Sequence, residues 1–121
     1  MTVVKPKDLL NVALQALEDG KAVDVKFIDV RKLTSVADYM VIATGRSSRQ
    51  VKALADHVAD AARAVGNKPI GIEGEQASEW VLVDLGDVIV HTMQAEAREF
   101  YQLEKLWTPL PRTRQTKIAA D

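Results

Sequence analysis

The chain has 121 residues, 47% of them hydrophobic, a formal net charge of -1 and no cysteine. This length fits one domain that can bury a core without cross-links, and the lack of cysteine excludes disulfides, thiolate metal sites and thiol nucleophiles. The near-neutral charge argues against nucleic acid as the main partner. No apolar run reaches the roughly 18 residues of a membrane span, and the N-terminal segment lacks the pattern of a signal or transit peptide. These properties indicate a cytoplasmic protein of a prokaryote.

The first half of the chain predicts a helix, two strands and a second helix. Leucine and alanine recur at helical spacing over residues 7–18, which predicts the first helix. Residues 23–30 alternate between apolar and polar side chains, whereas residues 39–44 form the continuous apolar run of a strand covered on both faces. A second helix is predicted for residues 48–65, where an alanine-rich apolar stripe indicates close packing on a sheet.

The second half predicts three strands and a last helix. Residues 70–73 form a short strand, and residues 80–84 and 88–93 flank a tight turn in which Gly86 can adopt a positive φ. Residues 94–106 follow as a helix. The order of elements predicts one α/β domain over residues 1–107, with a mixed sheet of about five strands flanked by helices.

The predicted last helix has an apolar stripe and a polar surface. The stripe, which we expect to face the core, consists of Ala97, Phe100, Leu103 and Trp107. Arg98 and Glu104 are expected to form ordinary helix-surface pairs with their neighbours, worth a few tenths of a kcal/mol each. The tail beyond this helix, residues 108–121, is polar and basic and is predicted to be disordered.

One possible catalytic arrangement involves Ser47, Glu73 and Glu75. A Gly-Ser junction between a strand and a helix can bind an anion, and a carboxylate pair on a following strand could hold the metal ions of a metal-dependent nucleotidyltransferase. Alternatively, Ser47 caps the helix and both glutamates lie in a solvated loop. We favour the second interpretation, because such enzymes usually need a third acid and basic groups that bind phosphate.

His91 and Trp80 each allow a structural and a functional interpretation. For His91 a structural role with locally bonded ring nitrogens is favoured over acid–base catalysis, since no nucleophile signature accompanies it. Trp80 shares one face of its strand with Leu82 and Asp84, while the intervening valines form a purely apolar face. If the valines face the core, Trp80 stands beside carboxylates at the surface, as binding hot spots do. Alternation alone does not decide between these positions.

The chain resembles the ribosomal silencing factor family, RsfS, also called the Iojap-related proteins. The resemblance covers about residues 8–107, without an evident gap, and leaves the tail outside. It rests on the elements Asp38-Tyr39, Gly45-x-Ser47, Trp80-x-x-x-Asp84, Gly86-Asp87-x-x-x-His91 and Arg98-x-x-Tyr101-x-Leu103-Glu104-x-Leu106-Trp107.

The resemblance implies a nucleotidyltransferase-like fold that has lost its catalytic residues, with no enzymatic activity, cofactor or metal. It also implies binding to ribosomal protein L-fourteen on the large ribosomal subunit. There the protein would block joining of the small subunit sterically and repress translation when nutrients are short. A homodimer is implied for the free protein, and neither a membrane nor sequence-specific nucleic acid is expected as a partner. A purely structural homodimeric scaffold stays an alternative.

The resemblance also implies site residues. Trp80 and its neighbour Val81 correspond to the ribosomal interface, and position adds Glu79 and Asp84, whose carboxylates could meet basic groups. His91, Arg98 and Tyr101 are expected to form a structural polar cluster behind the sheet.

Overall fold

The structure, a computed structural model, describes residues 4–107, and for residues 106 and 107 it describes only the backbone. The helices and strands are α1 (Pro6–Asp19), β1 (Val23–Asp29), β2 (Tyr39–Gly45), α2 (Ser48–Ala64), β3 (Gly71–Glu73), β4 (Trp80–Asp84), β5 (Val88–Gln94), α3 (Ala95–Tyr101) and α4 (Leu103–Trp107). The strands form one five-stranded sheet in the order β1-β2-β5-β4-β3. β2 and β5 run parallel, and the other neighbouring strands are antiparallel. The predicted α/β fold with a mixed sheet is confirmed.

α1 and α2 cover one face of the sheet, which we call the helix face. Pro6 begins α1, where its missing N–H costs no hydrogen bond. At the start of α2 the Ser47 Oγ accepts a hydrogen bond from the backbone N–H of Gln50 at 3.1 Å, and Gly66, with φ of 83°, follows its end. The larger core cluster lies between these helices and the sheet and includes Leu17, Val41, Leu54, Val58, Val81 and Val90.

The described residues cover only part of the opposite face of the sheet, which we call the outer face. Its smaller core cluster consists of Val30, Met40, Ile42, Met93, Ala97 and Leu103. α3 packs over β5 and β2, so that every residue of β2 is buried, as predicted for a strand covered on both faces. Leu82 and Ile89 lie farther along β4 and β5 and stay half-buried.

The predicted last helix is wrong in one respect, because it is interrupted. Gln102 adopts a left-handed conformation with φ of 49° and ψ of 51°, and this residue separates α3 from α4. The turn brings Leu103 back into the outer-face core, whereas Phe100 is 79% exposed instead of buried. The side chain of Trp107, also expected to pack, lies outside the described residues, as does the whole predicted tail, residues 108–121.

β1 departs from simple alternation. The pairing of β1 with β2 shifts between Val23 and Lys26, and Asp24 within this bulge has φ of 49°. The bulge leaves the carbonyl of Asp24 free to accept a hydrogen bond from α3, as described below. In the part of the chain that the structure describes, no helix is long and apolar enough to cross a membrane.

Candidate partner-binding site

Trp80 lies on the outer face of the sheet. Along β4 the side chains of Val81 and Val83 are fully buried on the helix face, whereas Trp80, Leu82 and Asp84 are half-buried on the outer face. The structure therefore places the two valines toward the core and Trp80 toward the partly covered side. Val81 is fully buried in the free chain, and its expected contact with a partner stays a prediction. Val81 supports the site from behind.

The indole of Trp80 is held by His91 on the neighbouring strand. The Trp80 Nε1–H donates to the Nδ1 of His91 at 2.9 Å, and the two rings lie 5.9 Å apart between centroids. His91 is 5% exposed, and burial lowers its pKa to about 4, so the imidazole is neutral at pH 7. The predicted structural role, with local bonding of a ring nitrogen, is confirmed for Nδ1.

Aromatic rings from α3 continue the surface beside Trp80. The ring centroid of Tyr101 lies 4.7 Å from that of Trp80, and Phe100 meets Tyr101 edge-on at 5.0 Å. Both α3 rings are exposed. Exposed aromatic rings in mutual contact are typical of a surface that binds a partner. We call Trp80, Phe100 and Tyr101 together the aromatic patch.

Carboxylates border the aromatic patch. The exposed Glu79 lines a cavity of about 360 Å³ together with Gln94, Glu96, Ala97, Phe100 and Tyr101. Asp84 lies on the same face but at the opposite end of β4 from Trp80, away from the aromatic patch. Its Oδ1 accepts a hydrogen bond from the backbone N–H of Gly86 at 2.9 Å and so shapes the β4–β5 turn. The rim of the patch is therefore acidic.

Arg98 ties α3 and α4 to the sheet. Its Nη1 donates to the carbonyl oxygen of Asp24 at 2.6 Å and to the Thr44 Oγ1 at 2.8 Å, and its Nη2 forms an ion pair with Glu104 at 2.9 Å. The hydrogen bond from Arg98 lowers the pKa of Glu104. The sequence placed this pair on an ordinary helix surface. That was wrong, because the Arg98 side chain is only 10% exposed.

A cross-strand row on the outer face centres on His91. Ile42 and Leu82 pair with His91 from its two neighbouring strands. Lys26 pairs with Ile42 at one end, and Glu73 pairs with Leu82 at the other. Residues paired in this way share a face of the sheet. The row is therefore apolar around His91 and charged at both ends.

Ser47, Glu73 and Glu75 are not brought together. The Ser47 Oγ is used as the cap of α2, as favoured above. Glu73 lies on the edge strand β3, which β5 and β4 separate from β2, a distance of about 14 Å at the usual strand spacing. Among the described residues, no group of three or more His, Asp or Glu side chains could hold a metal ion.

Sequence reasoning missed two parts of this site. Phe100 was assigned to the core, since a continuous helix was assumed. Leu82 was placed on the same face of β4 as Trp80 but was not proposed as a site residue. Ile89 was not proposed either, although alternation with the buried valines of β5 is the signal that could have identified it as an outer-face residue.

Comparisons with known proteins agree on one family. The family model described as "Ribosomal silencing factor during starvation" matches residues 4–121, which extends beyond the 8–107 stretch of the resemblance. A ribosomal silencing factor RsfS from Haemophilus influenzae is 46% identical over 99 residues, which are 82% of this chain and 97% of the relative. The "Mitochondrial assembly of ribosomal large subunit protein 1" of Mus musculus is 32% identical over 102 residues, covering 82% of this chain and 45% of that protein.

A solved structure gives the same result for the fold. The crystal structure of a protein from Chromobacterium violaceum superposes with a TM-score of 0.85 at 44% sequence identity. The aligned region covers 88% of this chain and 90% of that chain.

Proposed function

Since the chain belongs to the ribosomal silencing factor family, we propose that it binds the large ribosomal subunit and prevents the small subunit from joining. We propose ribosomal protein L-fourteen as the contact, and the cytoplasm as the place of action. The name of the mouse relative, which refers to the large ribosomal subunit, supports this choice of subunit. The family description refers to starvation, which supports repression of translation when nutrients are short.

The observation that carries this proposal is the aromatic patch on the half-covered outer face. Trp80 presents its ring there between Tyr101 and His91, and aromatic rings in partly buried positions are typical hot spots of protein interfaces. Glu79 adds negative charge at the rim, which suits the basic side chains of a ribosomal protein. Steering by such rim charges raises association rates and makes them sensitive to salt.

The proposed mechanism is steric and needs no chemistry. When the outer face lies against the large subunit, α1 and α2 project from the opposite side of the sheet. This second layer adds about 10 Å of packed protein at the place where the small subunit has to dock. Since Ser47 caps α2 and the glutamates lie apart from it, we propose no enzymatic role for them.

Subunit joining measured by light scattering tests this function. Isolated small and large subunits are mixed after the large subunits have been incubated with increasing amounts of the protein. We expect the rate and extent of joining to decrease as the protein saturates the large subunits. Full joining at saturating protein would refute the steric mechanism and would favour the scaffold alternative.

We also propose, from the family resemblance, that the free protein forms a homodimer. The exposed apolar side chains of Phe27, Leu33 and Val36, on β1 and in the loop that follows it, support self-association. Sedimentation equilibrium of the free protein measures this directly, and a monomer at high concentration would exclude it.

A further inference from the structure

His91 carries a buried hydrogen-bond donor that lacks an acceptor in the described part of the chain. Its Nδ1 accepts the Trp80 N–H, and the ring is neutral at pH 7 because burial lowers its pKa, so the single ring proton belongs on Nε2. The structure shows no hydrogen bond from that nitrogen to any described residue. His91 is 5% exposed, and a buried donor without an acceptor destabilises the folded state.

The neighbouring side chains cannot supply this acceptor. Ile42 and Leu82, which pair with His91 on either side, are apolar. The charged residues of the row, Lys26 and Glu73, lie one strand farther out in each direction.

The other charged groups near this face are already engaged or lie at its rim. Asp84 accepts a hydrogen bond from the turn at Gly86. Arg98 is held by Asp24, Thr44 and Glu104. Glu79 is exposed and immediately precedes Trp80, the first residue of β4.

The bond from Trp80 to His91 also changes what the tryptophan offers to a partner. An indole at an interface commonly provides both an apolar ring and an N–H donor. Here the N–H is used inside the protein, so Trp80 offers the ring alone. The hydrogen-bond donor that this pair can offer to a partner is therefore the Nε2–H of His91.

We propose that His91 is a recognition residue, whose Nε2–H donates a hydrogen bond to a backbone carbonyl of the protein segment that lies against Trp80. This inference rests on the proposed function, because it assumes that the outer face meets the large ribosomal subunit. A neutral carbonyl is favoured over a carboxylate, since Glu73, Glu79 and Asp84 on and beside this face would repel a negative charge. Trp80 and His91 then act together: the ring of Trp80 contacts an apolar surface of the partner, and His91 binds an adjacent hydrogen-bond acceptor.

Two substitutions separate the roles of the two ring nitrogens. His91→Asn keeps an oxygen near the position of Nδ1, which can still accept from Trp80, but it has no atom at the position of Nε2. His91→Gln places an amide nitrogen near the position of Nε2 and so restores a donor there. The matched control is His57→Asn, since His57 is exposed on α2.

The experiment measures the Kd of each variant for isolated large ribosomal subunits, with thermal unfolding as a check of folding. We expect His91→Asn to bind about ten-fold more weakly, His91→Gln to recover most of this loss and His57→Asn to bind like the wild type. Wild-type affinity in His91→Asn, or equal weakening in His91→Asn and His91→Gln, would overturn the inference and leave the proposed function standing. If the wild type itself does not bind, both are wrong.

A second measurement does not depend on how the variants fold. Nitrogen-15 spectra of the histidine rings in the wild-type protein report which ring nitrogen of His91 carries the proton. We expect the proton on Nε2, with slower exchange with water when isolated ribosomal protein L-fourteen is added as the probe. A proton on Nδ1, or unchanged exchange in the bound state, would contradict the inference.

Discussion

Arg98 and Glu104 form a two-pronged ion pair across the left-handed residue Gln102. The Arg98 Nε lies 3.2 Å from Oε1 of Glu104, and its Nη2 lies 2.9 Å from Oε2. In a continuous helix, residues six positions apart point in directions about 120° apart, so this contact depends on the break between α3 and α4. The pair bridges the break between α3 and α4, next to Tyr101, whose ring packs against Trp80.

The first prediction concerns the geometry of the Arg98 guanidinium. Arg98→Lys keeps the charge but cannot bind Glu104, Thr44 and Asp24 at the same time. We expect the free energy of unfolding to decrease by about 2 kcal/mol, as for a largely buried ion pair that loses its geometry. The control is Arg63→Lys in the exposed pair with Asp60, which should change stability by less than about 0.5 kcal/mol. If urea titrations gave equal losses of stability for Arg98→Lys and Arg63→Lys, the contacts of Arg98 would stabilise the fold no more than an exposed ion pair does.

The second prediction concerns the break at Gln102, where φ is 49°. Gln102→Gly should leave stability unchanged or raise it by up to about 1 kcal/mol, because glycine adopts a positive φ without strain. Gln102→Val should destabilise by about 1–2 kcal/mol, since a β-branched residue is disfavoured there. If α3 and α4 were one helix, the order would reverse, because glycine is a poor helix former. Thermal unfolding of the two variants distinguishes these outcomes.

The third prediction concerns pH. Burial lowers the pKa of His91 from 6.5 to about 4, so the unfolded chain takes up a proton at this residue at a higher pH than the folded protein. The contribution of neutral His91 to the free energy of unfolding is on the order of 3 kcal/mol. This contribution is complete above pH 6.5 and is lost as the pH falls through about 4. The free energy of unfolding of the wild type should therefore decrease between these pH values more steeply than that of His91→Phe.

Urea titrations at several pH values measure this slope, with His57→Asn as the control that keeps it. If wild type and His91→Phe lose stability in parallel, His91 is not held neutral by the fold.

The fourth prediction uses two glycines with the same backbone conformation. Gly74 has φ of 88° and Gly66 has φ of 83°, so both substitutions to alanine carry the cost of a positive φ, about 1 kcal/mol. A Cβ at Gly74 would in addition overlap the backbone carbonyl of Trp80, whereas a Cβ at Gly66 meets nothing within 4 Å.

We therefore expect Gly74→Ala to destabilise by about 2 kcal/mol more than Gly66→Ala. It should also weaken binding to large subunits, because the strand that carries Trp80 has to move. Thermal unfolding measures the loss of stability, and co-sedimentation with large subunits measures the loss of binding. Equal stability of the two variants would mean that the Gly74 contact does not constrain β4.

Local patterns in the sequence were sufficient for most elements of this fold. Alternation along β4 correctly identified Val81 and Val83 as one apolar face, and the uninterrupted apolar run of β2 indicated burial on both faces. The break at Gln102 could not be predicted, because glutamine is a good helix former and the break is stabilised by tertiary contacts of Arg98 with β1 and β2. Phe100 was assigned to the core because the sequence predicted one continuous helix over residues 94–106.

The candidate site was also predictable only in part, because it too depends on tertiary contacts. Alternation showed that Trp80 opposes the valines, but the choice of face depends on where α1 and α2 pack. The bond between Trp80 and His91 depends on the pairing of β4 with β5 and on ring orientation. Neither is contained in the pattern of either strand alone.

The most direct test of the account is co-sedimentation of the protein with isolated large ribosomal subunits. Trp80→Ala is compared with Ile70→Ala, which removes an exposed apolar side chain beside Asp84, at the other end of β4 from Trp80. We predict that Trp80→Ala loses about 2 kcal/mol of binding free energy or more, roughly a thirty-fold rise in Kd, while Ile70→Ala binds like the wild type. Equal binding of Trp80→Ala and wild type would contradict the assignment of the outer face as the ribosomal interface.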